Sequence, residues 1–187
     1  TYRTYDEMKA EGIDTHAVGV YTYTASVALD QATSQGDPFP SYMYTIFLPE
    51  VAVNTETGKV KVEKFTAVAD CGTILNKLAV DGNFYGGLVQ GIGLALTEDF
   101  EDLKKHTTLL KCGIPYPNDA PDDIELVYQE NHPRPTGPYG ASGCGEAPLD
   151  APPPAILNAI SNATGARITR VPALPEVVLA ALQQVKE

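Results

Sequence analysis

Residues 41–72 read SYMYTIFLPEVAVN, then TETGK, then VKVEKFTAVADCG: two apolar, β-branched runs on either side of a short polar segment with one glycine. Runs of this kind make strands, and a Thr/Gly turn between them closes an antiparallel hairpin. Working outward, residues 78–100 (LAVDGNFYGGLVQGIGLALTEDF) change period, with Phe84, Leu88, Ile92 and Leu96 at helical spacing. Farther on, residues 123–131 (DIELVYQEN) alternate like a strand, residues 166–171 (ARITRV) read as another, and residues 175–187 form a final helix opened by Pro175. Upstream, residues 16–30 alternate and predict a strand, while residues 1–12 predict a short helix closed by Gly12. Elements in this order predict an α+β fold, a mixed or antiparallel sheet with packed helices.

Composition narrows the function classes. The chain has 187 residues, 43% hydrophobic and 20% charged, which suits a soluble globular domain. A net charge of -11 argues against a nucleic-acid partner, and no apolar run approaches the ~18 residues of a membrane span. Cys71, Cys112 and Cys144 are widely spaced without a C-x-x-C pair, so neither a disulfide framework nor a thiolate metal site is expected. A reducing, cytoplasmic setting fits. The start at Thr1, with neither Met nor a signal pattern, predicts a piece of a longer polypeptide or a processed subunit.

Two stretches hold candidate chemistry. The predicted helix carries Gly82, Gly86, Gly87, Gly91 and Gly93, each costing about 1 kcal/mol against alanine in a helix. Gly86, Gly87, Gln90 and Gly93 share one face, so Gln90 is a lone long polar side chain on bare backbone. It serves either tight core packing or an amide aimed at a ligand. The second stretch, residues 131–154, holds seven prolines and four glycines in 24 residues and predicts an ordered loop. Asp150 is placed to cap the helix that follows, which ends at Gly165. Within the loop, GASGCGEAPL (residues 140–149) brings Glu146 to the end of a glycine run and stiffens the backbone after it with Pro148. Glu146 is either a solvated loop residue or a general base held for close approach.

Other chemistries fit less well. Cys144 with His132 as base lacks any hydrolase signature, and GASGC fails G-x-S-x-G at its fifth position. His16, His106 and His132 show no ligand spacing, so no metal held by protein side chains is expected. Neither a P-loop nor G-x-G-x-x-G is present.

Taken in order, DCGTILN (70–76), DGNFYGGLVQGIGLALTE (81–98), GASGCGE (140–146) and LPEVVLAAL (174–182) resemble the C-terminal part of the molybdenum-binding subunit of the xanthine oxidase family. TEDFEDLKKH (97–106) and NHPRPTGPYGASG (131–143) are most similar to its bacterial aldehyde oxidoreductases. The resemblance implies that residues 1–187 are the C-terminal part of a molybdopterin-binding domain. It implies a molybdenum-bearing molybdopterin, in the cytosine dinucleotide form common in bacteria. It makes Glu146 the general base, Gln90 a cofactor neighbour, and Ser142, Gly143, Cys144 and Gly145 the loop laid against the cofactor. It further implies 2Fe-2S clusters in other domains or subunits, a small aldehyde substrate oxidised to its carboxylic acid with water as oxygen source, and a homodimeric whole enzyme. Alternatives are an N-heterocycle (purine-type) hydroxylase of the same family and a non-catalytic binding or assembly module on the same scaffold.

Overall fold

The hairpin forms with β1 (Tyr44–Val53) antiparallel to β2 (Val60–Asp70), in register from Tyr44 opposite Asp70 to Val53 opposite Val60, with a bulge between Glu50 and Val51. This computed structural model describes residues 3–20, 22 and 26–186. β3 (Asp123–Tyr128) adds to the other side of β2 in parallel, giving the order β1-β2-β3. The sheet is therefore mixed, as expected. β2 is its centre, and β1 is an edge that can hold Pro49, which has no N–H to give to a ladder.

Alternation along the strands sends Phe47, Val62, Phe65, Ala67 and Ala69 into the core. Phe47 and Phe65 meet edge to face at 6.1 Å. The inner face is covered by α2 (Lys77–Leu96) and α4 (Pro152–Thr164), which supply buried Phe84, Leu88, Ile92, Ile156 and Ile160 to the same core. α5 (Pro175–Lys186) adds Val178 and Leu182. On the opposite sheet face Tyr44, Ile46 and Leu48 stay exposed.

α2 begins at Asn76, whose side chain accepts from the Ala79 N–H at 3.1 Å. Its first turns are tied to β3: Lys77 reaches Asp81 at 2.6 Å, and the Tyr128 hydroxyl donates to the other Asp81 oxygen at 2.8 Å. The Phe84 ring lies edge to face on Tyr128 at 5.6 Å. Lys77, then Tyr128, hold the Asp81 carboxyl below the usual carboxylate range, and burial plus Asp81 push the Tyr128 phenol up. A carboxyl depressed on folding stabilises the fold above its unfolded pKa and loses that contribution as pH falls through the folded value. Asp81→Asn is therefore expected to lower the melting temperature at neutral pH, with the gap closing below about pH 3.9. Melting curves of both proteins across the acid limb check this; a gap that does not change with pH would rule out the ionic contribution.

The chain forms two compact units, residues 1–40 and residues 41–187. The first unit contains α1 (Tyr5–Ala10), opened by a Thr4–Glu7 capping box, and a turn in which the Asp30 carboxylate accepts from the Ala32 and Thr33 N–H groups. The strand expected over residues 16–30 is not found among the described residues there, of which only Val27 makes a bridge, to Asp37. Tyr21, Tyr23, Thr24 and Ala25 lie outside the described residues.

Two further expectations are corrected in the second unit. Residues 166–171 bury Ala166 and Ile168 but join no ladder, so their β-branched content marks an extended core-lining segment rather than a strand. Asp150 does not cap the helix: it ends a four-residue turn, α3 (Ala147–Asp150), and α4 begins after Ala151, with Pro152 in its first turn.

Candidate functional site

The proline- and glycine-rich segment is fastened at its near end to the C-terminal end of β2. The Arg134 guanidinium donates to Asp70 Oδ1 at 2.9 Å, to the Asp70 carbonyl at 3.1 Å and to the His132 carbonyl at 3.1 Å. The Gly140 carbonyl accepts from the N–H groups of Thr73 at 3.0 Å and Arg134 at 2.8 Å. Gly72 and Gly140 sit at φ +69° and +83°, and a Cβ on Gly72 would strike the Gly140 carbonyl, so both glycines are needed for this crossing. The Ser142 N–H then donates to the Cys71 carbonyl at 2.9 Å.

Beyond Ser142 the backbone leaves regular structure. The N–H groups of Gly143, Cys144, Gly145 and Glu146 donate to nothing among the described residues. The Cys144 side chain is half-buried against the core, and that burial pushes its thiol up and keeps it protonated. The nearby His132 ring faces Asp70, with Nδ1 3.5 Å from Oδ2. A Cys144–His132 nucleophile thus finds no support. Glu146 itself is exposed, its carboxylate is without a partner among the described residues, and its carbonyl receives the Leu149 N–H at 2.8 Å to start α3.

α2 runs beside this loop, and its glycines sort into two groups. Gly87 and Gly91 are packing positions: a Cβ on Gly87 would come within 2.6 Å of Pro148 Cβ, and one on Gly91 within 2.8 Å of Pro152 Cβ. Gly82 and Gly86, like Gly143 and Gly145 in the loop, have open space within 4 Å of where a Cβ would stand. Between them Asn83 donates through its amide to the carbonyls of Cys144 at 2.5 Å and Gly145 at 3.2 Å. Gln90 lies two turns along the same stripe (Asn83, Gly86, Gly87, Gln90 at i, i+3, i+4, i+7), exposed and with no hydrogen bond among the described residues. It is therefore not a satisfied core amide. Gly93 departs from the expected bare strip, since a Cβ there would meet Glu98 and Pro115.

The Cys144 and Gly145 carbonyls are thus brought against the N-terminal part of the α2 stripe that carries Gln90, with Glu146 next in the chain. Sequence reasoning missed Asn83, although it extends the glycine–glutamine spacing one turn toward the N-terminus. It also missed Arg134 and Asp70, whose pairing no local pattern announces. Among the described residues the arrangement offers a carboxylate, an amide and four N–H groups without partners, and two bare strips of backbone. That combination suits a bulky, polar, oxygen- and nitrogen-rich group approaching the main chain, with a proton acceptor at its edge. The described residues contain no cluster of three or more His, Cys, Asp or Glu that could hold a metal ion directly.

The family described as "molybdopterin cofactor-binding domain" matches residues 1–121. Aldehyde oxidoreductase of Megalodesulfovibrio gigas is 53% identical over 182 residues, covering 97% of this chain and 20% of the relative. A probable hypoxanthine oxidase of Escherichia coli K12 is 33% identical over 149 residues, covering 78% of this chain and 16% of that protein. Among solved structures, the aldehyde oxidoreductase from Desulfovibrio gigas superposes with a TM-score of 0.86 at 52% identity, covering 97% of this chain and 20% of that one. The chain spans between about a sixth and a fifth of the length of these relatives.

Proposed function

This chain belongs to the molybdopterin cofactor-binding domain family, among the molybdenum enzymes of the xanthine oxidase family, and we propose that it supplies the general base and one backbone wall of the cofactor site in an enzyme that oxidises aldehydes to carboxylic acids. The observation that carries this reading is the Gly143–Glu146 segment: four N–H groups and a carboxylate without partners among the described residues, beside the open glycine strip of α2. We read residues 1–187 as the C-terminal part of the domain, completed by the rest of that domain and by iron–sulfur domains or subunits carrying 2Fe-2S clusters, in a homodimeric, cytoplasmic enzyme.

The residues present suit a molybdopterin, in the cytosine dinucleotide form by our reading. Open space over Gly82, Gly86, Gly143 and Gly145 leaves room that side chains would fill. The loop N–H groups and the Gln90 amide would hold its polar edges. When bound, the cofactor supplies the two-electron oxidation and delivers oxygen that derives from water. The overall change is RCHO + H2O to RCOOH with two electrons and two protons released. Glu146 accepts the proton given up as the new carbon–oxygen bond forms, which its free carboxylate is able to do. It then gives that proton up, since two protons leave in the overall change. The Gln90 amide, with two donors and one acceptor, orients the reacting groups rather than moving protons. The Ser142–Gly145 backbone keeps their edges at a fixed distance from Glu146.

Greater identity to an aldehyde oxidoreductase than to a probable hypoxanthine oxidase, 53% against 33%, favours aldehydes over purines. The deciding experiment is to purify the complete protein, measure its molybdenum and molybdopterin, and supply aldehydes and purines in turn with an artificial electron acceptor. Aldehyde-dependent reduction of the acceptor, with equimolar acid carrying oxygen from labelled water, is the expected result. Turnover of purines alone would transfer the reading to N-heterocycle hydroxylation, and folded protein without molybdopterin would leave a non-catalytic scaffold.

A further inference from the structure

Among the described residues, between the Ser142 N–H, bonded to Cys71, and the Glu146 carbonyl, which opens α3, the loop is tied to the rest of the unit by hydrogen bonds from a single side chain, Asn83. The one other bond in this stretch is local, from the Ser142 hydroxyl to the Gly143 carbonyl at 3.1 Å. The two amide hydrogens of Asn83 serve two consecutive carbonyls, 61 and 62 residues away in sequence. Their mounting is firm: the next residue, Phe84, is fully buried, and Leu88 one turn on is buried as well. Gly143 and Gly145 flank Cys144 and have open space around them, so the loop's own chemistry does not choose one backbone path.

We infer that Asn83 is a positioning residue for Glu146: by fixing the two carbonyls immediately before it, the amide sets the path on which the carboxylate and the free N–H groups are presented. This rests on the reading of Glu146 as base. Asn83 acts through the loop and touches no reacting atom.

The test uses the complete enzyme with Asn83→Ala, Asn83→Gln, Glu146→Gln and the double variant Asn83→Ala/Glu146→Gln. Alanine removes both donors and suits an exposed helical position better than asparagine, so the helix is retained. Asn83→Ala is expected to lower kcat on the order of 10²-fold, the scale of a displaced catalytic group, with KM changed less than about threefold and molybdenum content unchanged. Hydrogen–deuterium exchange should quicken at the Ser142, Leu149 and Asp150 N–H groups, which are bonded at the two ends of the loop, and stay constant across α2. Asn83→Gln, which keeps the donors, should recover most of the loss. In the Glu146→Gln background, adding Asn83→Ala should cost less than about threefold more, since both act on one event. Full kcat in Asn83→Ala beside an inactive Glu146→Gln overturns the positioning role, as does unchanged loop exchange or a loss that only follows molybdenum content. Normal turnover by Glu146→Gln would instead overturn the base itself, leaving the exchange data as the measure of the Asn83 clamp.

Discussion

Glu146→Gln in the complete enzyme is expected to lose about 10²–10⁴-fold in turnover at full molybdenum loading, the usual range for removing a positioned general base. The amide nearly matches the carboxylate in size and keeps acceptor capacity, but it takes no proton. Because the Glu146 side chain has no partner among the described residues, the substitution breaks no contact within the unit. A loss of activity at the melting temperature and metal content of the parent, which is the expected result, would be chemical rather than structural. Turnover within about threefold of the parent at equal loading would remove Glu146 from the reaction and leave its glycine loop as scaffold.

Phe84→Ala should have the largest effect on stability, about 3–5 kcal/mol, the range for emptying a fully buried aromatic position. Phe84 is completely enclosed, and its ring meets Tyr128 edge to face at 5.6 Å, joining α2 to β3 from inside. The preceding residue is Asn83 and, three residues on, Gly87 lies against Pro148. A cavity here loosens the element on which the loop rests, so loss of fold and loss of site should appear together. Chemical denaturation, read alongside molybdenum content, checks both. Leu at this position should recover part of the stability, because most of the volume is refilled. A destabilisation below about 1 kcal/mol would mean that neighbouring side chains collapse into the space.

Elements whose partners are near in sequence, or whose period is strong, could be read directly. The β1–β2 hairpin carries its own turn, and α2 buries the Phe84–Leu88–Ile92–Leu96 stripe that its spacing announced. Residues 166–171 had the composition of a strand, but a strand is a pairing, and these residues join no ladder. Residues 16–20, 22 and 26–30 show the same limit. Asp150 looked like a cap because Ser, Thr, Asn and Asp favour that position, yet the short turn that begins at Ala147 absorbs it. At the site, the glycines marked where backbone must lie bare, and Glu146 and Gln90 stood out as polar residues set among them. Which glycines face neighbours and which face open space was a matter of packing: Gly87 and Gly91 answer to α3 and α4, Gly82 and Gly86 to none of the described residues. Asn83 was invisible for a related reason. One asparagine in a helix has no local signature, and its meaning comes from carbonyls 61 and 62 residues farther along.

That separation also has a meaning in time. A ribosome delivers β1, β2 and α2 well before residues 144 and 145, so the helix is made while its two acceptors are still unsynthesised. Closing so long a loop costs only about 0.6 kcal/mol more for each doubling of length, provided the earlier elements already stand in place. Glu146 thus arrives after the helix that carries Asn83 and before α4 and α5, which complete the core, so its loop closes while that core is being finished.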